Sequence, residues 1–273
     1  MVTARIARSE HFLTAAVAFT SLLFAQAPQV FGAPIEGIYL FYENFEDLGL
    51  GSTNGTDWWN ISTYREGAAV VDSVHARGQN ALHISATGGS KAFLQPITFS
   101  PPGNSVWGRM WIWMEAFPTA PDYAHFTLVE ASGKVGDGSV IRPIGGQYIP
   151  GVSAQALWGT GSDLGPTGDW LNWRATAPTV NQQWTCLEFQ LDNQMSAMKL
   201  WIDGVAKPEL TVTRDNHNGT QVPFVFPTFD KIGIGFQEYQ RNTTPATFNL
   251  WIDDIALTTT RIGCDCEDGS PAL

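Results

Sequence analysis

The sequence is poor in charged residues, and above all in basic ones. Only 15% of its residues are charged, and 15 Lys and Arg face 26 Asp and Glu, which gives a net charge of −11. A negative surface repels phosphate backbones and anionic lipid head groups. We therefore expect neither nucleic acid nor a membrane as a partner, while a local basic cleft for an acidic polysaccharide stays compatible with this charge.

Several catalytic signatures are also absent. The chain contains no Gly-x-Ser-x-Gly, no His-Glu-x-x-His and no glycine-rich dinucleotide fingerprint. These absences argue against the α/β-hydrolase, zincin and Rossmann types of active site. No long helical period is present either, so the chemistry has to be sought on strands and loops.

The one long apolar run lies near the N-terminus. Arg5 and Arg8 precede an uncharged, mostly apolar stretch over 12–27, which ends in Ala25-Gln26-Ala27. This run is shorter than the about 20 residues of a membrane span, and its small-x-small end is typical of a secretory signal peptide. We expect a signal peptide over 1–27, with cleavage as late as residue 33, and a secreted protein.

Cysteine is scarce, with three residues in the chain. Cys264 and Cys266 are too close in sequence to pair without strain, so Cys186 and Cys264 are the favoured bridge. Cys266 lies in a polar tail and stays open as a thiol or as a competing partner for Cys186. A bridge over this span would stabilise the fold by roughly 4 kcal/mol in the chain-entropy model.

What the chain does contain is a series of short strand patterns. Apolar and polar residues alternate over 81–85, 106–115, 125–130, 184–191, 199–203, 231–237 and 248–257, with Gly- and Pro-rich breaks between them. Asp203-Gly204 predicts a tight hairpin turn. We predict an all-β jelly roll, two antiparallel sheets in a concanavalin- or lyase-like sandwich, over 34–264, followed by a flexible tail over 265–273. We expect a monomer.

The tryptophans allow two interpretations. Trp107, Trp111 and Trp113 fall on alternate residues of one strand, which suits either core packing or a sugar-stacking face. Trp58-Trp59 and the pair Trp170 and Trp173 are assigned to loops, where a large apolar side chain has less reason to pack. We predict that Trp58, Trp170 and Trp173 contact sugar rings.

The chain resembles a known family in the order and spacing of several short stretches. It is similar to the cellulose-induced secreted proteins of cellulolytic fungi and some bacteria, which are related to glucuronan and alginate lyases. The stretches are Asn44-Phe45-Glu46, Gly78-Gln79-Asn80-Ala81-Leu82, His125-Phe126-Thr127, Ile144-Gly145-Gly146-Gln147, Thr185-Cys186-Leu187-Glu188-Phe189, Leu200-Trp201-Ile202-Asp203-Gly204, Gly233 through Tyr239, and Trp251 through Cys264. The resemblance implies a jelly roll, a structural calcium ion and lyase-like residues in a cleft.

A lyase of this kind removes the C5 proton of a uronic acid and expels the glycosidic oxygen. Arg142 and Gln147 suit the neutralisation of the sugar carboxylate by charge and hydrogen bonds. The resemblance implies His125 as the base and Tyr239 as the acid. We therefore predict a polysaccharide lyase of the glucuronan type.

The sequence departs from the family pattern near Arg142. One extra residue separates Arg142 from Gly-Gly-Gln, which would turn its side chain to the opposite face unless a bulge absorbs the residue. Val140 also replaces a second histidine of the family. Glu238 and Asp163 are further candidates for substrate contact, and a Glu/Asp pair would suit a glycoside hydrolase. A non-catalytic carbohydrate-binding or accessory protein of plant cell-wall breakdown is the other alternative.

The calcium prediction has a physical argument of its own. Glu46 is placed at the start of the first strand and Asp253 in the last, and the chain ends of a jelly roll commonly lie side by side. Two adjacent carboxylates repel unless a hard cation with oxygen ligands neutralises them. The family pattern adds the side chain of Asn80 and the carbonyl of Arg77 as ligands, while strand alternation turns Asp254 away.

Overall fold

Fifteen β-strands form nearly all of the regular structure in this computed structural model. The described residues are 39–264, without 120, 135, 137, 167, 168 and 219–221, and without the side chains of 169–171. The predicted signal peptide (1–27 or up to 33), the predicted tail 265–273 and Cys266 lie outside the described residues. The strands are β1 (Tyr39–Glu43), β2 (Trp59–Tyr64), β3 (Ala68–Asp72), β4 (Ala81–Thr87), β5 (Lys91–Pro96), β6 (Val106–Met114), β7 (Ala124–Ser132), β8 (Val140–Tyr148), β9 (Leu157–Asp163), β10 (Asp169–Pro178), β11 (Trp184–Asp192), β12 (Ala197–Ile202), β13 (Val205–Ala206), β14 (Lys231–Glu238) and β15 (Thr247–Thr258).

The strands form two antiparallel sheets that pack face to face. The eight-stranded sheet A has the order β13-β12-β11-β6-β15-β4-β3, and β1 pairs with one end of β15. The seven-stranded sheet B has the order β10-β9-β8-β7-β14-β5-β2. About half of the neighbouring strands in the two sheets are not consecutive in the chain, as in a jelly roll. The predicted fold class is confirmed.

The core lies between the inner faces of the two sheets. Along β4, Leu82 and Ile84 are almost fully buried, while His83 between them is only partly buried. On sheet B, Phe126 and Phe236 stack with ring centroids 6.1 Å apart. Burying each such side chain contributes about 1.5–3 kcal/mol, which explains why the alternating pattern fixes the inner face of each strand.

The three alternating tryptophans of β6 lie on the outer face of sheet A. Met110 and Ile112 of the same strand are buried in the core, so Trp111 and Trp113 point away from it. The ring of His75 stacks on Trp113 with centroids 3.5 Å apart, and the Arg77 guanidinium lies 3.7 Å above Trp111. Core packing between the sheets is therefore not their role.

The strands with clear alternation are those predicted, and the Asp203-Gly204 hairpin is present with positive φ at both residues. Two strands of sheet B, β8 and β9, contain Pro143 and several glycines, which obscure the period of two. No helix in the described part of the chain is long and apolar enough to cross a membrane.

The predicted bridge between Cys186 and Cys264 is confirmed, and it spans 78 residues. It ties β11 to the segment that follows β15. Removing it with Cys186→Ser and Cys264→Ser together should lower the free energy of unfolding by up to about 4 kcal/mol, because the unfolded chain regains loop entropy.

Denaturant unfolding measures this loss, and Cys266→Ser serves as the matched control with unchanged stability. Two results would contradict the account: a double variant as stable as the parent, or a Cys186–Cys266 peptide in a non-reducing mass map.

Candidate functional site

A row of directly paired residues crosses the outer face of sheet B. Residues paired directly across antiparallel strands have side chains on the same face. The row runs from β10 to β2 through Trp173, Gly159, Gly145, Thr127, Gln237, Lys91 and Tyr64. Trp158, which precedes Gly159, and Phe126, which precedes Thr127, are buried in the core. Because strand residues alternate, Gly159 and Thr127 face away from the core. We call the outer face that carries the row the site face.

A bulge in β8 places Arg142 and Gln147 on the site face together. Arg142 pairs with Gly161 of β9, and Gly145, three residues later, pairs with Gly159, only two residues away. Residues five apart face opposite sides in a regular strand, and one bulged residue restores a common face. The extra residue that set this chain apart from the family pattern is thus absorbed locally.

Arg142 and Tyr239 are joined through one carboxylate. Nη2 of Arg142 donates to the Ser162 carbonyl at 2.9 Å and lies 3.2 Å from Oδ1 of Asp163. The Tyr239 hydroxyl donates to Oδ2 of Asp163 at 3.0 Å and lies 3.1 Å from Oγ1 of Thr127. Arg142 is 1% exposed, whereas the Asp163 side chain is 35% exposed. Asp163 is therefore the solvent-facing member of this chain of contacts.

The Tyr239 hydroxyl is held in its protonated form. Burial raises the pKa of Tyr239 well above its usual range, and this outweighs the opposite effect of the Arg142 guanidinium. Its proton points toward Asp163. Tyr239 is consequently a proton donor at neutral pH.

His125 and Gln147 lie side by side next to Tyr239. They are directly paired across β7 and β8, and the imidazole stacks on the Tyr239 ring with centroids 4.0 Å apart. The Tyr123 hydroxyl donates to Oε1 of Gln147 at 3.2 Å. With its oxygen engaged in this way, the Gln147 amide offers its NH₂ group as a donor.

Gln240 fixes the tautomer of His125. The backbone N–H of His125 donates to Oε1 of Gln240 at 2.6 Å, and Nε2 of Gln240 lies 2.9 Å from Nδ1 of His125. A backbone N–H can only donate, which sets the amide orientation, and the amide NH₂ can only donate to Nδ1. The neutral ring therefore carries its proton on Nε2. The hydrogen bonds thus make Nε2 of His125 a donor, whereas the resemblance implied His125 as the base.

Glu238 lies on the core side of β14. It pairs with Phe126, whereas the preceding Gln237 pairs with Thr127 on the site face. Glu238 is fully buried and accepts the Gln240 backbone N–H at 3.0 Å. Burial raises its pKa to about 8, so this carboxyl is largely neutral at pH 7.

The structure does not bring Glu238 and Asp163 onto one face. Strand alternation turns the two carboxyl groups to opposite sides of sheet B. Glu238 is therefore not positioned for the predicted substrate contact, and the arrangement does not supply the facing carboxylates that a glycoside hydrolase needs.

Trp58 and Trp59 are adjacent in sequence, but only Trp58 is exposed. Trp58 is 77% exposed in the loop before β2, at the opposite edge of sheet B from β10. Trp59 is 1% exposed, and its indole N–H donates to Glu43 at 2.6 Å. Trp58 stays a candidate for sugar contact.

Trp170 and Trp173 belong to β10, so the prediction that they lie in loops was wrong. A register shift between Trp170 and Asn172 interrupts the alternation that would have identified the strand. Trp173 is directly paired with Gly159 on the site face. The side chain of Trp170 lies outside the described residues.

The predicted calcium ligands gather around the segment just before β4. Glu46 follows β1 instead of beginning it, and its Oε1 accepts the N–H groups of Gln79 at 2.8 Å and Asn80 at 3.3 Å. Oδ2 of Asp253 accepts the Arg77 N–H at 2.8 Å. Pairing of β1 with β15 brings these two parts of the chain together.

The charges of this cluster fit a cation. Asp253 is 1% exposed; burial, with smaller contributions from Asp254 and Glu46, raises its pKa to about 7. Arg77 pairs with Asp254 at 2.8 Å, and among the described residues no basic side chain lies within 4.0 Å of Asp253. A Cβ on Gly78 would lie 2.1 Å from Oε1 of Glu46, so a larger residue there would displace the Glu46 carboxylate from its present position.

The donors are two carboxylates, one amide and one peptide carbonyl, which are the oxygen ligands that calcium binds. Nowhere in the described ranges are three or more His, Cys, Asp or Glu side chains grouped to hold a metal. The predicted set contains only two such side chains, so the fit depends on the amide and backbone oxygens of Asn80 and Arg77.

Three residues of the site were not singled out from the sequence. Gln240 and Tyr123 position His125 and Gln147, and Thr127 contacts the Tyr239 hydroxyl. Tyr123, directly before β7, falls on alternate positions with His125 and Thr127 of that strand, which is a signal that sequence reasoning can use. The Gln240 contact joins residues 115 positions apart, so no local pattern predicts it.

A known protein family matches most of this chain. The family model described as "Polysacc_lyase-like: Cip1-like, core domain" matches residues 49–260. The solved structure of the cellulose induced protein Cip1 is 20% identical, covers 82% of this chain and 99% of its own, and has a TM-score of 0.58. A search of curated proteins found no match.

Two further structures are similar. A β-1,3-glucanase from Mycobacterium marinum is 15% identical with a TM-score of 0.52 and covers 81% of this chain and 99% of its own. An endo-β-1,4-glucuronan lyase from the fungus Trichoderma reesei is 12% identical with a TM-score of 0.49 and covers 81% and 96%. The likeness to Cip1 and the glucanase shows the fold.

The tautomer of His125 can be changed by one substitution. In Gln240→Glu, the carboxylate accepts both the backbone N–H and a ring N–H, so the proton should move from Nε2 to Nδ1. Nitrogen-15 chemical shifts of the His125 ring measure this directly, with the signal assigned by its loss in His125→Gln.

Gln194→Glu, the same change in an exposed turn, should leave the His125 shifts unaltered. An Nδ1–H tautomer in the parent, or identical ring shifts in parent and Gln240→Glu, would show that Gln240 does not set the protonation of His125.

Proposed function

Because the chain belongs to the Cip1-like family of polysaccharide-lyase-like proteins, we propose that it cleaves a uronic-acid-containing glycan of the glucuronan type by β-elimination. The observation that carries this proposal is the convergence of His125, Arg142, Gln147, Asp163 and Tyr239 on the site face. The disulfide and the family fit an extracellular protein, and we propose that it is secreted and acts on plant cell-wall material.

The carboxylate of a bound uronic acid meets two donors in this arrangement. Gln147 presents its amide NH₂, and His125 presents the proton on Nε2. Directly paired residues have Cβ atoms about 4.5–5.5 Å apart, a spacing that suits the two oxygens of one carboxylate. Arg142 supplies positive charge behind them, which lowers the energy of the carbanion formed when C5 loses its proton.

We assign proton transfer to Asp163 and Tyr239. The Asp163 carboxylate removes the C5 proton, the electron pair forms the C4–C5 double bond, and the C4–O bond breaks. Tyr239 gives its proton to the departing oxygen and recovers one from Asp163 across their 3.0 Å hydrogen bond. One proton thus passes from C5 to the leaving oxygen, and the protein returns to its starting state.

A second candidate function is binding without cleavage. Arg142 is 1% exposed and already engaged by Ser162 and Asp163, and Val140 stands where the family pattern has a second histidine. Both observations favour a carbohydrate-binding or accessory protein over an enzyme. In that case Trp58, Trp173 and the site face would hold the glycan.

The calcium site is a further part of this proposal. We propose that Glu46, Asp253, Asn80 and the Arg77 carbonyl hold a structural Ca²⁺ ion. When bound, the ion would neutralise the Glu46 and Asp253 carboxylates. It would thereby hold the segment after β1 against β15 in the centre of sheet A. It lies on residues separate from Tyr239 and Asp163, so its role is in stability.

The lyase proposal predicts a graded set of losses, measured by the ultraviolet absorbance of the unsaturated product. Tyr239→Phe and Asp163→Asn should each lower kcat by about 10²–10⁴ while retaining glycan binding, because a proton-transfer group is lost and the shape is kept. Arg142→Ala should lower kcat/KM by about 10²–10³, the effect of losing one electrostatic donor.

Asp215→Asn, an exposed carboxylate outside the site face, is the control and should have parent activity. If the parent binds uronic polymers but releases no unsaturated product from any of them, the enzyme proposal fails and binding without cleavage takes its place.

Calcium removal is tested by melting. Chelation should lower the Tm, and calcium at a hundredfold excess over Kd should restore about 2.7 kcal/mol of stability. Asp253→Asn should show a smaller response to chelation, whereas Asp215→Asn should respond as the parent does. A melting curve that EDTA does not move, with no calcium in the purified protein, would rule the ion out.

A further inference from the structure

The row on the site face continues well past the proposed site. From Thr127, beside the Tyr239 hydroxyl, it passes Gln237 and Lys91 to reach Tyr64 in the edge strand β2. Neighbouring strands lie about 4.7–4.9 Å apart, so these three steps cover roughly 14 Å. That distance is too long for a single sugar ring to touch both Thr127 and Tyr64.

Tyr64 is an unusual residue to find at this end of the row. It is 52% exposed, so its ring is only half covered by the protein. The Arg65 guanidinium lies 5.0 Å from the ring centroid, which makes an exposed aromatic–cation pair. A half-exposed aromatic ring with a cation over it is suited to an acidic sugar.

A depression of about 660 Å³ adjoins this pair. Its lining consists of Arg65, Glu66, Thr87, Gly88, Arg241 and Ala246. A Cβ on Gly89 would lie 3.1 Å from Nη1 of Arg65 and 3.7 Å from Nε of Arg241, so both guanidinium groups flank the same glycine. Arg241 is two residues beyond Tyr239, and a Cβ on Gly88 of the lining would lie 2.5 Å from the carbonyl of Gln240, the residue that contacts His125.

The depression keeps a surplus of positive charge. Within the described residues, neither Arg65 nor Arg241 has a carboxylate oxygen within 4.0 Å. Oε2 of Glu66 is engaged by the hydroxyls of Thr87 at 3.2 Å and Ser90 at 3.0 Å. Two arginines and one glutamate leave one positive charge, in a chain whose net charge is −11.

We propose that Tyr64, Arg65 and Arg241 form a distal subsite for an acidic sugar of the same polymer that occupies the proposed site. The inference rests on the proposed function, since it takes the glycan to lie along the row. The Tyr64 ring packs against the apolar face of the sugar, and the two guanidinium groups bind its carboxylate. Long acidic chains then bind more tightly than short ones, because two linked contacts are made at once.

The test compares polymer and disaccharide binding in the Tyr239→Phe background, which slows turnover during titration. The probes are polyglucuronate and its disaccharide, measured by calorimetry. Replacing both arginines with Arg65→Gln and Arg241→Gln should weaken polymer binding about tenfold, which is 1.4 kcal/mol, and leave disaccharide binding unchanged. Raising the salt concentration should reduce this difference, since exposed charges are screened.

Arg214→Gln is the control for loss of a surface charge, because Arg214 is also exposed and loses one positive charge, as each arginine of the double variant does. The control should bind polymer as the parent does. Equal polymer affinity in the parent and the double variant, or an equal loss in Arg214→Gln, would overturn the subsite.

Product formation by the arginine variants with Tyr239 intact separates the two proposals. Turnover of the polymer that does not depend on the arginines overturns the subsite and keeps the lyase. Arginine-dependent polymer binding without any unsaturated product keeps the subsite and overturns the lyase. Neither binding nor turnover on any uronic polymer overturns both.

Discussion

A single bulged residue in β8 keeps the cationic and amide groups of the site on one side of sheet B. Arg142 and Gln147 are five positions apart, and in a regular strand one of them would point into the core. Burying an unpaired guanidinium among aromatic side chains such as Phe126 would cost several kcal/mol. The bulge avoids that cost and lets Arg142 meet Asp163, through which it is coupled to Tyr239.

The hydrogen bonds of the site determine which side chains act as donors and which as acceptors, and the residue types alone do not determine this. Gln240 makes His125 a donor, Tyr123 leaves the Gln147 NH₂ group as a donor, and Asp163 accepts the hydrogen bond of the Tyr239 hydroxyl. Each functional group is thus oriented by a neighbour whose own donor or acceptor capacity is limited. This gives a donor-rich face with one buried guanidinium to a protein that is acidic as a whole, and such donors suit the carboxylates of an acidic glycan.

Much of the fold follows from sequence pattern because burial on one face of a strand forces a period of two. Runs such as 81–85 and 248–257 show that period, whereas β8, β9 and β10 hide it behind glycine, proline and register shifts. The sequence favours the Cys186–Cys264 pair because Cys264 and Cys266 are too close to bond without strain, and the structure contains that disulfide. The tautomer of His125 and the burial of Glu238 depend on pairings between β7 and the residues around the end of β14, which lie far away in sequence. No local window contains that information.

In the proposed mechanism, the carboxylate of the sugar lies against Gln147 and His125, and the C5 hydrogen of the same sugar points at Asp163. A crystal structure of Tyr239→Phe with a uronic oligosaccharide tests it most directly. The account predicts carboxylate oxygens within hydrogen-bond distance of the Gln147 amide and of Nε2 of His125, and a glycan that runs along the row toward Tyr64. A glycan bound instead to the tryptophan face of sheet A, or one whose carboxylate points to solvent, would contradict it.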